Sequence, residues 1–164
     1  DMRKTMNKKI PLEAYSKSNA MLNKHGIEAL NSVMIGLPGE TEENVWKTLS
    51  FLSKAREVKQ ANFAIATPYP GTKFHEMAVS GEGGMELVSD NFTEYKRYGQ
   101  AVTKVNNLGP NDLVRLQNEG FVSIYIKHWR WWSVVKKHGI IGLILTFYRI
   151  IIMFKDKIKY NYSV

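Results

Sequence analysis

Cysteine is absent from this chain of 164 residues. Disulfides and thiolate metal sites are thereby excluded, and the sequence carries no information about redox compartment. Histidine is scarce. His25 and His75 follow no ligand spacing, and His128 and His138 stand ten apart among aromatics and lysines, as ordinary surface or interface residues do. No nucleophile–base pair is visible, and lone serines such as Ser80 and Ser89 carry no weight. The sequence has no GxxxxGK phosphate loop, no internal repeat and no low-complexity tract. Asp1 to Lys9 is basic but is not followed by the apolar core of a signal peptide.

Acidic residues are nearly missing from one region. Residues 1–126 hold 15 Lys/Arg and 14 Asp/Glu, whereas residues 127–164 hold 8 Lys/Arg and a single acid, Asp156. Nearly all of the formal net charge of +8 therefore sits in the tail. That asymmetry points to a membrane surface or another polyanion at the tail, not to a generally basic protein. The apolar and charged fractions are ordinary for a globular domain, and the length suffices for a real core.

The periodicity predicts helix over Pro11 to Lys24, with Leu12, Tyr15, Asn19 and Leu22 on one face and Gly26 as its stop. A strand is predicted over Ala29 to Leu37, with Val33, Ile35 and Leu37 on one side and Ser32, Met34 and Gly36 on the other. Thr41 suits an N-cap, and Val45, Leu49 and Leu52 form the stripe of the helix it opens. Ala61 to Thr67 reads as a second strand, with Phe63 and Ile65 opposite Ala64 and Ala66. The two alanines leave room for something bulky, or pack under a helix. A short helix over Lys73 to Val79 ends at Gly81. Residues 81–107 read as an irregular connection with one helix at most. Asn111 is expected to cap a helix reaching about Arg130, with Leu113, Leu116, Phe121, Ile124 and Tyr125 buried. The order helix–strand–helix–strand–helix is a βαβ pattern without its front half.

Two loops carry the functional signal. Met34-Ile35-Gly36-Leu37-Pro38-Gly39-Glu40-Thr41 and Thr67-Pro68-Tyr69-Pro70-Gly71-Thr72 each follow a strand and precede a helix. In repeated βα architectures, ligands and chemistry sit at that strand edge. Glu40, Glu42 and Glu43 would repel a phosphate at the helix N-terminus, so a nucleoside triphosphate site is rejected. Gly36 and Gly39 permit close backbone approach, and Pro38 fixes the turn. The alternative is a tight strand-to-helix turn with Glu40 in solvent. At Pro68 and Pro70 the strand ladder cannot continue, and the freed carbonyls and amides can bond a ligand edge. Tyr69 either lines a pocket or covers a rim, and Thr72 is an N-cap.

The MIGLPGETEEN and IATPYPGTKFHEMA stretches, in this order and spacing, resemble the back half of a radical S-adenosylmethionine barrel. They look most like the branch whose members often carry an N-terminal cobalamin-binding domain. The resemblance covers residues 5 to 80 well and 81 to 130 loosely. It implies an α/β fold: the C-terminal portion of a partial parallel βα, TIM-like barrel (1–80), a connection and helix packing on it (81–130), and a basic, apolar amphipathic tail (131–164). It implies S-adenosylmethionine as cofactor, walled by Gly36, Leu37, Pro38 and Gly39 from one loop and Ala66, Thr67, Pro68 and Tyr69 from the other. It implies a four-iron four-sulfur cluster and, in this branch, cobalamin, in a methyltransferase or cyclase. In the family's GxIxGxxE pattern, Leu37 takes the apolar position and Gly39 and Glu42 the last two fixed ones, while Ile35 stands where the first glycine would be.

The departure from the family is the missing CxxxCxxC cluster loop. With a first helix that follows no strand, it implies a C-terminal fragment whose partner is the missing N-terminal half of the same polypeptide. The fragment alone should be inactive, and its substrate a small or lipid-like molecule. Two other readings stay open: a non-catalytic membrane-associated α/β module, and an α/β domain binding an unrelated small molecule. From Gly139 to Phe154 the only clearly polar residues are Thr146 and Arg149, and Trp129, Trp131 and Trp132 lie nearby. The tail thus reads as an in-plane helix at an anionic membrane surface, or as a helix packed against the barrel or the missing half. Arg149 argues against a full crossing. Its long aliphatic run fits nucleic acid poorly. The expected location is cytoplasmic, with the tail peripheral at the inner face of the membrane.

Overall fold

The structure, a computed structural model, describes residues 2–126 and, beyond them, Gly139, Ile141, Ile144 and Tyr148 as single helical positions. The chain divides into two compact units, Asp1–Ile124 and Tyr125–Val164. Residues 81–124 thus belong to the same unit as the βα segments before them.

In the first unit a short helix α1 (Met2–Thr5) precedes α2 (Leu12–Lys24), β1 (Leu30–Ile35), α3 (Glu42–Lys54), β2 (Gln60–Ile65) and α4 (Lys73–Ser80). A hairpin of β3 (Met85–Leu87) and β4 (Thr103–Val105) follows, then α5 (Pro110–Phe121). β1 and β2 pair in parallel, with Val33 opposite Phe63 and Ile35 opposite Ile65. The fold is mixed α/β around a small parallel sheet, and no closed barrel is formed among the described residues.

One face of that sheet is the core. Ile35, Ala61, Phe63 and Ile65 are buried with Val45, Leu49 and Leu52 of α3 and Leu113 and Leu116 of α5. Gly120 lets α5 approach closely, because a Cβ there would lie 2.7 Å from the Phe63 ring. Phe121 meets Phe63 edge to face with ring centres 5.5 Å apart. At the N-terminal end of the strands, Asn31 donates to Asn19 Oδ1 of α2 (3.0 Å) and to the Gln60 carbonyl (2.9 Å). This buried amide link explains why a polar residue occupies the inner face of α2.

The opposite face is uncovered. Leu30, Ser32 and Met34 of β1 are exposed, and Gln60, Asn62 and Ala64 of β2 are half-buried. The outer edge of β2 is closed: the Ile65 amide donates to the Arg97 carbonyl (2.9 Å), and Gln117 Nε2 donates to the Phe63 carbonyl (2.6 Å). Among the described residues β1 pairs only with β2, so its other edge is open.

The N-caps expected at Thr41 and Thr72 are made, to Asn44 and His75 respectively. Two expectations are corrected. Residues 81–107 contain the antiparallel β3–β4 hairpin. Strands of three residues are too short for alternation to register in sequence. The last helix begins two residues earlier than expected, at Pro110 with Gly109 and not Asn111 as its N-cap, and the Gly109 amide donates to Asp112 Oδ2 (3.1 Å). It passes at Val122–Ile126 into a π-helical turn. The tail predicted as amphipathic lies outside the described residues, apart from the four positions named above. Among the described residues no helix is long and apolar enough to cross a membrane.

Candidate functional site

Parallel pairing puts both loops at the same, C-terminal edge of the sheet. The Ala66 amide continues the pairing by donating to the Ile35 carbonyl (2.8 Å), so Gly36 and Ala66 enter their loops side by side. Six of the eight predicted site residues then follow, Leu37, Pro38 and Gly39 on one strand and Thr67, Pro68 and Tyr69 on the other.

The first loop is held from within. Gly36 and Gly39 have φ of +80° and +74°, conformations that an L side chain resists. The backbone therefore curls until the Gly36 and Leu37 amides converge. They donate to Glu40 Oε2 at 2.7 and 3.2 Å. Glu40 is buried, not solvated, with 3% of its surface exposed. Burial raises its pKa above the usual carboxylate value, outweighing the two backbone bonds that lower it. The Glu40 amide closes the turn on the Leu37 carbonyl (3.0 Å).

A second clamp comes from the hairpin. The Gly39 amide donates to the Gly83 carbonyl (2.7 Å), and Asn106 Nδ2 donates to the Glu40 carbonyl (2.8 Å). Asn106 in turn donates its backbone amide to the Gly84 carbonyl (2.7 Å). Gly83 sits so close to the loop that a Cβ there would lie 2.8 Å from Pro38 Cβ. The amides of Gly36, Leu37, Gly39 and Glu40 all have acceptors inside the protein, so none is left to cradle an anion. The close approach expected at Gly36 is made by Leu113 of α5, whose Cδ1 would lie 3.3 Å from an added Cβ. At Gly39 the space is open.

In the second loop Ala66 and Pro68 are buried, Thr67 is half-buried and Tyr69 is exposed. Thr67 Oγ1 lies 3.3 Å from both the Ile65 and the Lys96 carbonyls. Tyr69 packs against Tyr95 with ring centres 6.1 Å apart, and Tyr95 against Phe92 at 5.2 Å. His75 Nδ1 lies 3.0 Å from the Pro68 carbonyl. A carbonyl only accepts, so Nδ1 is the donor of this bond. Glu42 faces α5, where Arg115 Nη2 donates to its Oε1 at 2.9 Å and holds its pKa below the usual range.

On the open face, Asn62 Nδ2 donates to the Tyr98 hydroxyl (3.2 Å), while its buried Oδ1 has no partner. Met34 and Ala64 adjoin it toward the loops. Of the two alanines thought to leave room, Ala64 does border this open face and Ala66 is buried. Sequence reasoning missed Glu40, Asn62 and the hydrogen bond of His75. For Glu40 a signal was present: a carboxylate four residues after one bent glycine and directly after another. Among the described residues no group of three or more His, Asp or Glu gathers as a metal site.

No family model matches the sequence. Over 104 residues, 63% of the chain, it is 34% identical to an uncharacterized methyltransferase of Pyrococcus horikoshii. The matched stretch is 22% of that protein, so the chain spans about a fifth of the relative's length.

Proposed function

We propose that this chain forms one wall of the S-adenosylmethionine pocket of a methyltransferase, as the last βα units of a parallel barrel of the radical S-adenosylmethionine kind. The carrying observation is the half-covered parallel sheet with both Gly/Pro loops at one edge. Parallel sheets are ordinarily covered on both faces. Here Leu30 and Met34 stand exposed on one face, and among the described residues β1 pairs along one edge only. Further parallel strands added along β1 would curl that face inward and put the two loops on the rim of a barrel. The length of the matched methyltransferase, several times the matched stretch, is consistent with such strands lying elsewhere in a longer polypeptide.

In this reading half-buried Pro38 and exposed Tyr69 face the adenosine from the two loops, and Leu37, Ala66 and Pro68, which are buried, form the packing behind them. Gly36, Gly39 and Thr67 set the backbone that carries those residues. Glu40 and Asn106 keep the first loop rigid. When bound, S-adenosylmethionine would supply the methyl group and, with an iron–sulfur cluster, the radical chemistry of the family. This chain has no cysteine, so the residues present do not fit an iron–sulfur cluster held by thiolates. Its ligands, and cobalamin if the protein uses it, belong to the rest of the polypeptide. The substrate class is a small or lipid-like molecule.

The test is made on the full-length gene product. The coding sequence upstream of Asp1 should contain CxxxCxxC within roughly 100–150 residues, about half a barrel. The purified protein should bind S-adenosylmethionine in calorimetry. Tyr69→Ala, an exposed change, should weaken that binding about three-fold or more, within the range expected for loss of one aromatic contact. An upstream region without a cysteine cluster removes the radical mechanism and leaves the methyltransferase reading. An intact protein that does not bind S-adenosylmethionine removes both.

A further inference from the structure

The second unit contains an apolar surface that the proposed pocket does not use. Ile141, Ile144 and Tyr148 are helical and are 74%, 60% and 59% exposed. In sequence, their spacing of three and four residues is the spacing of a single helix face. The sequence around them is the most basic of the chain, with Lys136, Lys137 and Arg149 close by and Lys155, Lys157 and Lys159 beyond, against Asp156 alone. Trp129, Trp131 and Trp132 precede it.

We propose that this face docks on an anionic lipid bilayer, with the helix lying in the plane of the interface. Two exposed isoleucines and an exposed tyrosine at helical spacing offer apolar surface that a membrane interior would cover, while the lysines before and after them in sequence pair with lipid phosphates. A single acid among residues 127–164 leaves little to repel that surface. Arg149, one residue after Tyr148, opposes burial of the helix across the whole hydrocarbon layer but suits a headgroup depth. An acidic protein partner would account for the lysines but not for the exposed isoleucines. A second copy would account for the isoleucines but would bring like charges together.

The experiment uses the whole chain with two vesicle compositions, phosphatidylcholine alone and phosphatidylcholine mixed with phosphatidylglycerol. The protein should sediment with the mixed vesicles, less so at high salt, and little with the neutral ones. The double variant Ile141→Glu/Ile144→Glu should weaken this partition by on the order of ten-fold or more, at unchanged circular dichroism. Lys155→Gln/Lys157→Gln/Lys159→Gln should weaken it comparably and reduce its salt dependence. Should the glutamate variant misfold, this lysine variant and quenching of tryptophan fluorescence by brominated lipid decide the matter. The proposal is overturned by equal binding of the isoleucine variant and the native protein, or by lack of quenching. It is also overturned by binding to heparin or RNA without vesicle binding, and by a concentration-dependent dimer that the isoleucine variant abolishes while vesicle binding is absent.

Discussion

Removing the Glu40 carboxylate should destabilise the fold out of proportion to its place in a loop. In Glu40→Ala the Gly36 and Leu37 amides lose the oxygen that lies 2.7 and 3.2 Å away. A buried donor left unpaired costs about 1–3 kcal/mol. Two such donors, with some relief from entering water, make the expected loss about 2–5 kcal/mol. Glu40→Gln keeps an acceptor of the same reach. It gives up the charge, which makes hydrogen bonds roughly twice as strong, but also the burial of a carboxylate. The expected loss is then only about 0–2 kcal/mol. Urea unfolding at neutral pH measures both, and hydrogen exchange at the Gly36 and Leu37 amides shows whether the loop has opened. The reasoning fails if Glu40→Ala lies within about 0.5 kcal/mol of the native chain, the range of an ordinary surface change, with both amides still protected.

The same side chain predicts a pH dependence. Burial raises the Glu40 pKa above its ordinary value of 4.5. Between 4.5 and the raised value the native state holds a proton that the unfolded chain has released. Stability from this group is therefore fully present below the ordinary value and is lost as pH rises through the raised one. Glutamine does not titrate. On acidification from neutrality the native chain should gain stability relative to Glu40→Gln. A gap that moves the other way would mean that the two amide bonds outweigh burial.

Gly120→Ala should cost about 1–3 kcal/mol in the same unfolding assay, because its Cβ would stand 2.7 Å from the Phe63 ring and α5 must shift. Unchanged stability would show that α5 does not pack as described. Gln117→Leu leaves the Phe63 and Arg97 carbonyls and the Gly99 amide without their side-chain partner and should cost about 2–4 kcal/mol. Faster exchange at Gly99 is the accompanying sign, and its absence would sink the assignment of Gln117 as the clasp of β2.

What the sequence made legible was periodic or punctuated. The stripe Val45, Leu49, Leu52, the alternation of Phe63 and Ile65, and the caps at Thr41 and Thr72 all follow rules that act within a few residues. What it hid depends on distant partners. Glu40 was legible as a charged residue in a glycine-rich turn, and solvent is the usual place for one. Its burial follows from a loop closed on itself and held by Asn106, 66 residues away. Gly36 was legible as a glycine with a task, but its close neighbour, Leu113, comes from a helix far along the chain. The β3–β4 hairpin escaped because its residues were too few to show a period.

These long-range contacts narrow what the candidate site can recognise. Glu40 fills the concavity that the Gly36 and Leu37 amides form, so the loop satisfies its own donors before any ligand arrives. Rigidity without free donors suits contact with an apolar, flat group, and it suits a charged one poorly. On the proposed function, the adenine end of the cofactor belongs against Pro38 and Tyr69, the loop residues that reach the surface. The charged methionine end then has to find its partners beyond the two loops, across the face bearing Met34, Ala64 and Asn62. On that face the Asn62 Oδ1 is a buried acceptor without a donor. That oxygen is buried within the chain itself, so its missing partner is a local cost of about 1–3 kcal/mol and does not by itself mark a ligand. On the proposed function the uncovered sheet, where Leu30 and Met34 are exposed, is the side that receives a complement, while the helical side is closed by its own side chains.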